Sequence, residues 1–404
     1  MRICMLNNLF PPIPSGSSHF TYALSKTLAA RGHDVTVVSA RAVDAPSVET
    51  RHGVEIHRLS CRMLPRMQIA HGFRHLSFTL TPGNLRRVEA LCRDKRFDLL
   101  HQHGQIFDLA LISVRLARKL RLPLVNTIHT PAHHTTPLYH ALLGALDRTV
   151  VRRLIIEPAD MLVAPDRTVV DYIARRYRHR RVVEIPYGVD SPATSESRGL
   201  EVRRRHGIGE GPVILSVGHV HNLRDRCDLI AAMPGVLRQV PDARMLVVGD
   251  IYTQRPIALA RSLGLESRVI FAGAVAHEQI GDYLSAATIE AHWLGSGPGL
   301  GIAAMEAMAA GVPVVSSIDQ DAFGRGLLRP GENVMLIERG SSRSIVDTLI
   351  ALLKDAELRQ RVGAGGRRLV EKCFSWPSVA ARTEAAYEEL VGLGERRYGA
   401  RLAG

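Results

Sequence analysis

Short apolar runs alternate with helical stretches along this 404-residue chain, and no other feature limits its fold so tightly. Arg2–Leu6, Val35–Ser39, Val54–Arg58, Leu99–Gln102, Leu124–Ile128, Met161–Ala164 and Val182–Ile185 read as strands in the first half. Val213–Val217, Met245–Val248, Val269–Phe271, Ile289–Ala291, Val312–Val315 and Val334–Ile337 continue the rhythm in the second. Strands that are apolar throughout and separated by helices form parallel sheets covered on both faces. The first helix is expected from about Ser18 to Arg31, with Phe20, Leu24 and Leu28 on one face and Gly32 as its stop. The last, amphipathic, is expected over Ser378–Leu393. A chain of this length exceeds one comfortable core, so two domains are expected. The Pro, Gly and Ser content after Pro186 divides them: residues 1–190, a linker over 191–211, residues 212–374, and a tail over 375–404.

Doubly wound sheets bind ligands at the carboxyl ends of their strands. The stretch Pro298–Gly311, PGLGIAAMEAMAAG, has the composition of such a site. Its Gly-rich turn enters a short helix of Ala and Met, whose first N–H groups can hold a phosphate. Glycine lets an anion approach that backbone closely. Glu306 is the helix's one charged residue, and burying it requires a polar partner. Diphosphate at the helix tip and a sugar hydroxyl on Glu306 would satisfy both groups. A packed helix with Glu306 facing water is the plainer reading. Gly311 stands where a left-handed cap is wanted.

Charge is unevenly placed. Residues 1–200 hold 28 Lys and Arg against 16 Asp and Glu, and residues 201–404 hold 24 against 23. The basic half points to an anionic partner, such as lipid or an acidic acceptor, or else to an Arg-rich composition alone. Nucleic acid is not expected, because 5% aromatic residues leave little for base stacking. Five scattered cysteines form no framework and point to a reducing cytoplasm. The start of the chain reads as a strand and not as a secretory signal. Several Arg among apolar residues in Arg62–Arg96 suit peripheral docking on the inner face of a membrane. His101, His103, His129, His133 and His134 form a local enrichment, but prolines in TPAHHTTP argue against a metal-binding helix, and no metal is expected.

Motifs in order along almost the whole chain resemble the retaining GT-B glycosyltransferases of glycosyltransferase family 4. FPPIPSGSSHF, LAARGHDVTVVS, FDLLHQHG, LPLVNTIHT and ADMLVAPDRTVVDYI are similar to its N-domain landmarks. IPYGVD resembles the interdomain signature, with Tyr187 where Asn is usual. VILSVGHV, DARMLVVGD, RVIFAGAVAHEQIGDYLSAA, Gly299–Val315, GENVMLI and FSW follow in family order. The resemblance implies an α/β fold of two doubly wound Rossmann-like domains facing each other across a cleft. It implies transfer of a sugar, with retention, from a nucleoside diphosphate sugar to a hydroxyl acceptor, with no metal, and a last helix crossing back to the N-domain.

Carried over residue by residue, it makes His129, Arg224 and Glu306 catalytic. Gly16, Gly218, His219, Arg224, Pro298, Gly299, Leu300, Gly301 and Glu306 would bind the donor. Two positions depart from the family. His219 replaces an Arg, leaving Arg224 as the charge on the diphosphate, with His221 and Arg226 near enough to compensate. Pro298 replaces the first Glu of the family's Glu-x7-Glu pair, which contacts the donor sugar. An unusual donor sugar, a slow enzyme, or an impaired nucleotide-binding relative acting as a partner protein all follow from that change. A dinucleotide oxidoreductase does not, because the first loop lacks G-x-G-x-x-G.

Overall fold

The computed structural model describes every residue except 14, 42–43, 64–76, 133–135, 222–223, 292–299 and 403–404. The chain divides into two compact units, Met1–Gly188 with Trp376–Gly404, and Val189–Ser375.

In the first unit eight strands pair in the order Val182–Glu184, Met161–Ala164, Leu124–Thr127, Leu99–His103, Arg2–Asn7, Asp34–Ala40, Val54–Leu59, Val48–Arg51. All pairings are parallel except the edge strand Val48–Arg51, which turns back on Val54–Leu59. That strand was not foreseen, because VETR is polar and lies half exposed at the edge. The central strands are buried on both faces, so their apolar runs are unbroken.

The helix Gly16–Ala30 starts two residues earlier than expected, because Ser15 caps it by accepting from Ser18 N–H at 3.0 Å. Phe20, Leu24 and Leu28 are its buried face, and Gly32 follows with a left-handed φ of 93°. The terminal helix runs Trp376–Leu402, longer at both ends than expected. Its Trp376, Val379, Ala380, Ala386, Tyr387 and Leu390 share one core with Ile3, Phe20, Leu24 and Leu28.

The second unit holds a parallel sheet in the order Val269–Gly273, Arg244–Val248, Val213–Val217, Ile289–Glu290. A bridge from Glu290 to Val314 continues it toward Val315–Ser316 and Met335–Leu336. The strand expected at Val312–Val315 is thus shortened to Val315–Ser316, because Pro313 has no N–H to give the ladder.

Residues 191–211, which read as a linker, carry a helix, Glu196–Arg205, packed on Ile280–Ala286 in the second unit. Two of their four glycines serve close packing. A Cβ on Gly199 would lie 2.7 Å from the Ser285 carbonyl oxygen, and one on Gly211 2.2 Å from that of Asp242. On the facing helix, a Cβ on Gly281 would lie 2.0 Å from the Ala193 carbonyl oxygen.

One buried carboxylate anchors a long helical segment of the first unit. An α-helix, Pro137–Leu146, runs directly into ten residues of π-helix, Asp147–Ile156. At the junction Asp147 is buried and accepts from the hydroxyls of Tyr172 (2.6 Å) and Tyr177, with Arg176 at 3.3 Å. Removing it leaves the two hydroxyls, 3.0 Å apart, to bond with each other and takes the carboxylate from Arg176. Asp147→Ala should therefore lower unfolding free energy by about 3 kcal/mol. Urea denaturation followed by circular dichroism would read this; a loss below about 1 kcal/mol would show that the anchor is not needed.

Candidate functional site

The second unit's site begins where three neighbouring parallel strands end. Gly218, Gly249 and Gly273 terminate them, with φ of 128°, 140° and 76°. Gly218 N–H donates to Val248 O and Gly249 N–H to Gly273 O, both at 2.8 Å. A Cβ on Gly249 would sit 2.4 Å from the Gly218 oxygen, so glycine is required there.

The loop beyond Gly218 is braced from within by Arg226. This buried guanidinium donates to Ser216 Oγ (2.9 Å), Gly218 O (2.9 Å), Arg224 O (2.6 Å) and His219 O (3.4 Å). Burial pulls its pKa down to about 10. Arg226 itself takes a left-handed φ of 67°, a conformation uncommon for a residue other than glycine. The expectation that Arg226 lends charge to a diphosphate is therefore corrected, since its donors hold loop carbonyls.

Arg224 stands on that braced loop as an exposed residue, its backbone N–H closing a turn on His221 O at 2.7 Å. His219 is exposed, with Nδ1 3.3 Å from Asp250 Oδ2 and its ring against Tyr252.

The expected anion-binding helix is present as Ile302–Ala309. Gly301 precedes it with φ 76° and ψ 148°, exposed and without a side-chain cap, and Leu300 is buried. Gly311 follows with φ 79°, as expected. Pro298 and Gly299 lie outside the described residues.

Glu306 is only 6% exposed. Its partner is His277, Nε2 to Oε1 3.4 Å, contributed by the short turn His277–Gln279. Burial raises the Glu306 pKa; His277 opposes the rise and Asp190 adds to it. The reading that Glu306 faces water is thereby excluded. Sequence reasoning missed His277, Asp190 and the bracing role of Arg226, because nothing in their local patterns distinguishes them from surface charges.

In the first unit the strand-end histidines form a row. His129, which follows Leu124–Thr127, places Nδ1 3.2 Å from the Tyr187 hydroxyl and Nε2 3.2 Å from His103 Nδ1. Tyr187 donates its proton to His129 O at 3.1 Å. The network therefore assigns the Nδ1–H tautomer to His129, with His103 donating to its Nε2. His101 is bonded to Thr127 Oγ1 at 2.7 Å and to Tyr387 of the terminal helix at 2.5 Å. Phe20 lies against His103, His129, Tyr187 and Trp376, seating the first helix on the row. Burial drops the pKa values of His101 and His129 to about 3, and that of His103 well below its usual value.

The local enrichment of histidines thus has a structural part, three neutral rings in a column, while His133 and His134 lie outside the described residues. Gly16 lies in the first turn of its helix, where a Cβ would meet nothing within 4 Å. Among the described residues no helix is long and apolar enough to cross a membrane.

Comparison with known proteins extends over both units. Residues 14–191 match the family model Glycosyltransferase Family 4, and residues 200–369 match Glycosyl transferases group 1. The chain is 28% identical to the phosphatidyl-myo-inositol mannosyltransferase of Mycobacterium leprae, over 98% of this chain and 99% of the relative. It is 28% identical to the D-inositol 3-phosphate glycosyltransferase of Kineococcus radiotolerans, over 93% and 91%. In fold it is similar to the sucrose-phosphate synthase of Thermosynechococcus elongatus, with a TM-score of 0.73, 21% identity and coverage of 97% and 99%. Anabaena HepE, solved in complex with UDP and glucose, gives 0.71 at 19% identity, covering 96% and 100%.

Two expectations follow from this geometry. Unfolded imidazoles titrate near 6.5, while folded His101 and His129 hold out to about 3. The unfolded state takes up more protons between those values, so stability is full above about pH 6.5 and is lost as pH falls. Unfolding free energy should drop between pH 7 and 5 by up to about 1.4 kcal/mol per pH unit per histidine, and His103→Phe should flatten the slope. A flat profile would contradict the buried neutral column. Gly16→Ala should change stability by less than about 1 kcal/mol, so any loss of activity in that variant reports contact with a ligand.

Proposed function

Because this chain belongs to the family-4 glycosyltransferases and is a sugar-transferring enzyme of the GT-B type, we propose that its donor is a nucleoside diphosphate sugar held by the second unit. The observation that carries this reading is Glu306, a carboxylate buried four residues into a helix whose amino end opens at Gly301. A ribose hydroxyl donating to Glu306 compensates its desolvation, and diphosphate at Gly301 meets unpaired N–H groups and the positive end of the helix.

Transfer breaks the bond between the sugar's anomeric carbon and the diphosphate, with the electron pair leaving on the phosphate. The acceptor hydroxyl forms the new bond and gives its proton to the departing phosphate oxygen. Negative charge grows on the leaving group, and Arg224 supplies the fixed positive charge opposite it. His219 adds a hydrogen bond, and Gly218 a close approach of backbone. Configuration is retained and no metal takes part. In the first unit, His129 is the group able to exchange one of its 3.2 Å bonds for a ligand hydroxyl, at a cost of about 1 kcal/mol.

The acceptor is a phosphate-bearing polyol, free or lipid-linked. Two relatives are named for inositol compounds of this type, and the excess of basic residues in the first half suits an anionic acceptor. A binding-only protein is the second reading, carried by Pro298 and His219 in place of the family's Glu and Arg.

A thermal-shift screen of UDP, GDP, ADP and TDP should show stabilisation by at least one. Glu306→Gln should weaken that nucleotide about tenfold while leaving the free protein as stable as the parent or more so, since a desolvated charge is gone. Arg224→Ala should weaken it as well. If both variants bind like the parent, the donor site lies elsewhere. Binding without hydrolysis or transfer of any matching nucleotide sugar would favour the second reading.

A further inference from the structure

Leu138, Leu142, Leu146, Val150 and Leu154 form one apolar stripe on the helical segment Pro137–Ile156, and they are 73, 57, 45, 44 and 49% exposed. They are nearly half of the eleven exposed large hydrophobic residues among the described ones, and the other six are scattered along the chain. On an α-helix, positions four apart advance about 40° per step. On a π-helix, with roughly 4.4 residues per turn, they fall back about 33°. The change from α to π at Asp147 therefore returns the stripe toward its start, and the five side chains keep within about 80° of arc. A stripe of this kind runs nearly along the helix axis, so a partner helix can follow it from end to end.

Two properties of the stripe point to a second copy of this chain as that partner. The first is symmetry. The large side chains are spaced evenly about Leu146, so in an antiparallel pair Leu146 meets itself, Leu142 meets Val150 and Leu138 meets Leu154. The α arm is the longer, which displaces the outer pair by about 3 Å, less than a leucine side chain reaches. The second property is area. The stripe leaves roughly 450 Å² open on one copy. With exposed Ala141, Ala145 and Thr149 beside it, a face-to-face pair can bury on the order of 1,100 Å² in all, just above what a specific interface needs.

Charge does not oppose the pairing. Arg148 and Arg152 lie about 160° around the axis from the stripe and Arg153 about 100°. Glu157, just beyond the segment, is paired with Arg152 at 2.8 Å. The small residues flank the stripe on one side, where they let two backbones approach closely. On another face Val151, Ile155 and Ile156 join the core of the first unit, which holds the stripe outward.

We propose that Pro137–Ile156 is a self-association face that pairs two copies of the chain antiparallel about Leu146. This stands on the first unit alone and is independent of the donor chemistry assigned to the second.

The test is sedimentation velocity of the full chain across a concentration series. An interface of this size is reversible, so the parent should pass from monomer to dimer between about 1 and 100 μM. Leu146→Asp sets two carboxylates against each other on the axis and should weaken association at least tenfold. Leu142→Lys and Val150→Asp should each weaken it several-fold. The two together should recover most of the loss, because each introduced lysine then faces the other copy's aspartate. Leu200→Asp, at an exposed leucine elsewhere, should associate like the parent. Unchanged circular dichroism and unchanged nucleotide stabilisation would show that the variants are folded. The proposal is overturned by a parent that stays monomeric at about 100 μM, by a Leu146→Asp variant that pairs as tightly as the parent, or by association that continues past the dimer. A double charge variant that recovers nothing would overturn the antiparallel register. A monomeric parent that floats with phosphatidylglycerol vesicles and loses this in Leu146→Asp would give the face to lipid instead.

Discussion

Parallel strands all leave a sheet on the same edge, so whatever fills that edge decides what the fold can bind. In the second unit the edge is left to backbone. Gly218, Gly249 and Gly273 end neighbouring strands with positive φ, and the Gly218–Gly249 approach leaves no room for a β-carbon. In the first unit the same edge is filled by imidazoles, with His103 ending its strand and His129 just beyond the next. A backbone floor without side chains allows close approach, while its Gly218 and Gly249 N–H groups stay bonded to Val248 O and Gly273 O. A floor of buried neutral rings presents polarity without charge.

The two arginines of the second unit's loop show why position along a chain does not settle a side chain's task. Arg224 and Arg226 are two residues apart. Arg226, held left-handed, turns its guanidinium under the loop and fills it with four oxygens. Arg224, held by a backbone bond to His221, lies on the exposed side. Holding one cation on the loop's own oxygens fixes the backbone that leaves the other exposed.

The parallel sheets were legible because buried parallel strands are apolar on both faces, and Arg2–Asn7, Met161–Ala164 and Val213–Val217 stand where their residues place them. Gly311 was legible from the same helix-to-strand pattern. Residues 191–211 were misread because glycine has two uses that look alike in sequence. At Gly199 and Gly211 it admits a neighbouring carbonyl and provides no flexibility. Of the candidate site, Glu306 could be singled out as a lone carboxylate among Ala and Met, whereas His277 is brought to it by tertiary packing alone. Tyr187 stood out only as a departure from a motif, and its bond to His129 gives that departure a structural use.

The exposed leucine stripe lies in Pro137–Ile156, a stretch to which the sequence reading assigned no element. Measured at 3.6 residues per turn, the five positions drift through about 160° around the axis. Only the change of pitch at Asp147 aligns them. That change is held by a carboxylate with two tyrosine hydroxyls and an arginine around it, so a buried polar cluster sets the geometry of an exposed apolar surface. Tyr172 and Tyr177 come from the next helix and the residue that ends it, Arg167–Arg176 and Tyr177, which tie the junction to the sheet through Met161–Ala164. A π-helix has few intrinsic reasons to persist over ten residues. Here its persistence is explained by what lies behind it, and its consequence is what lies in front.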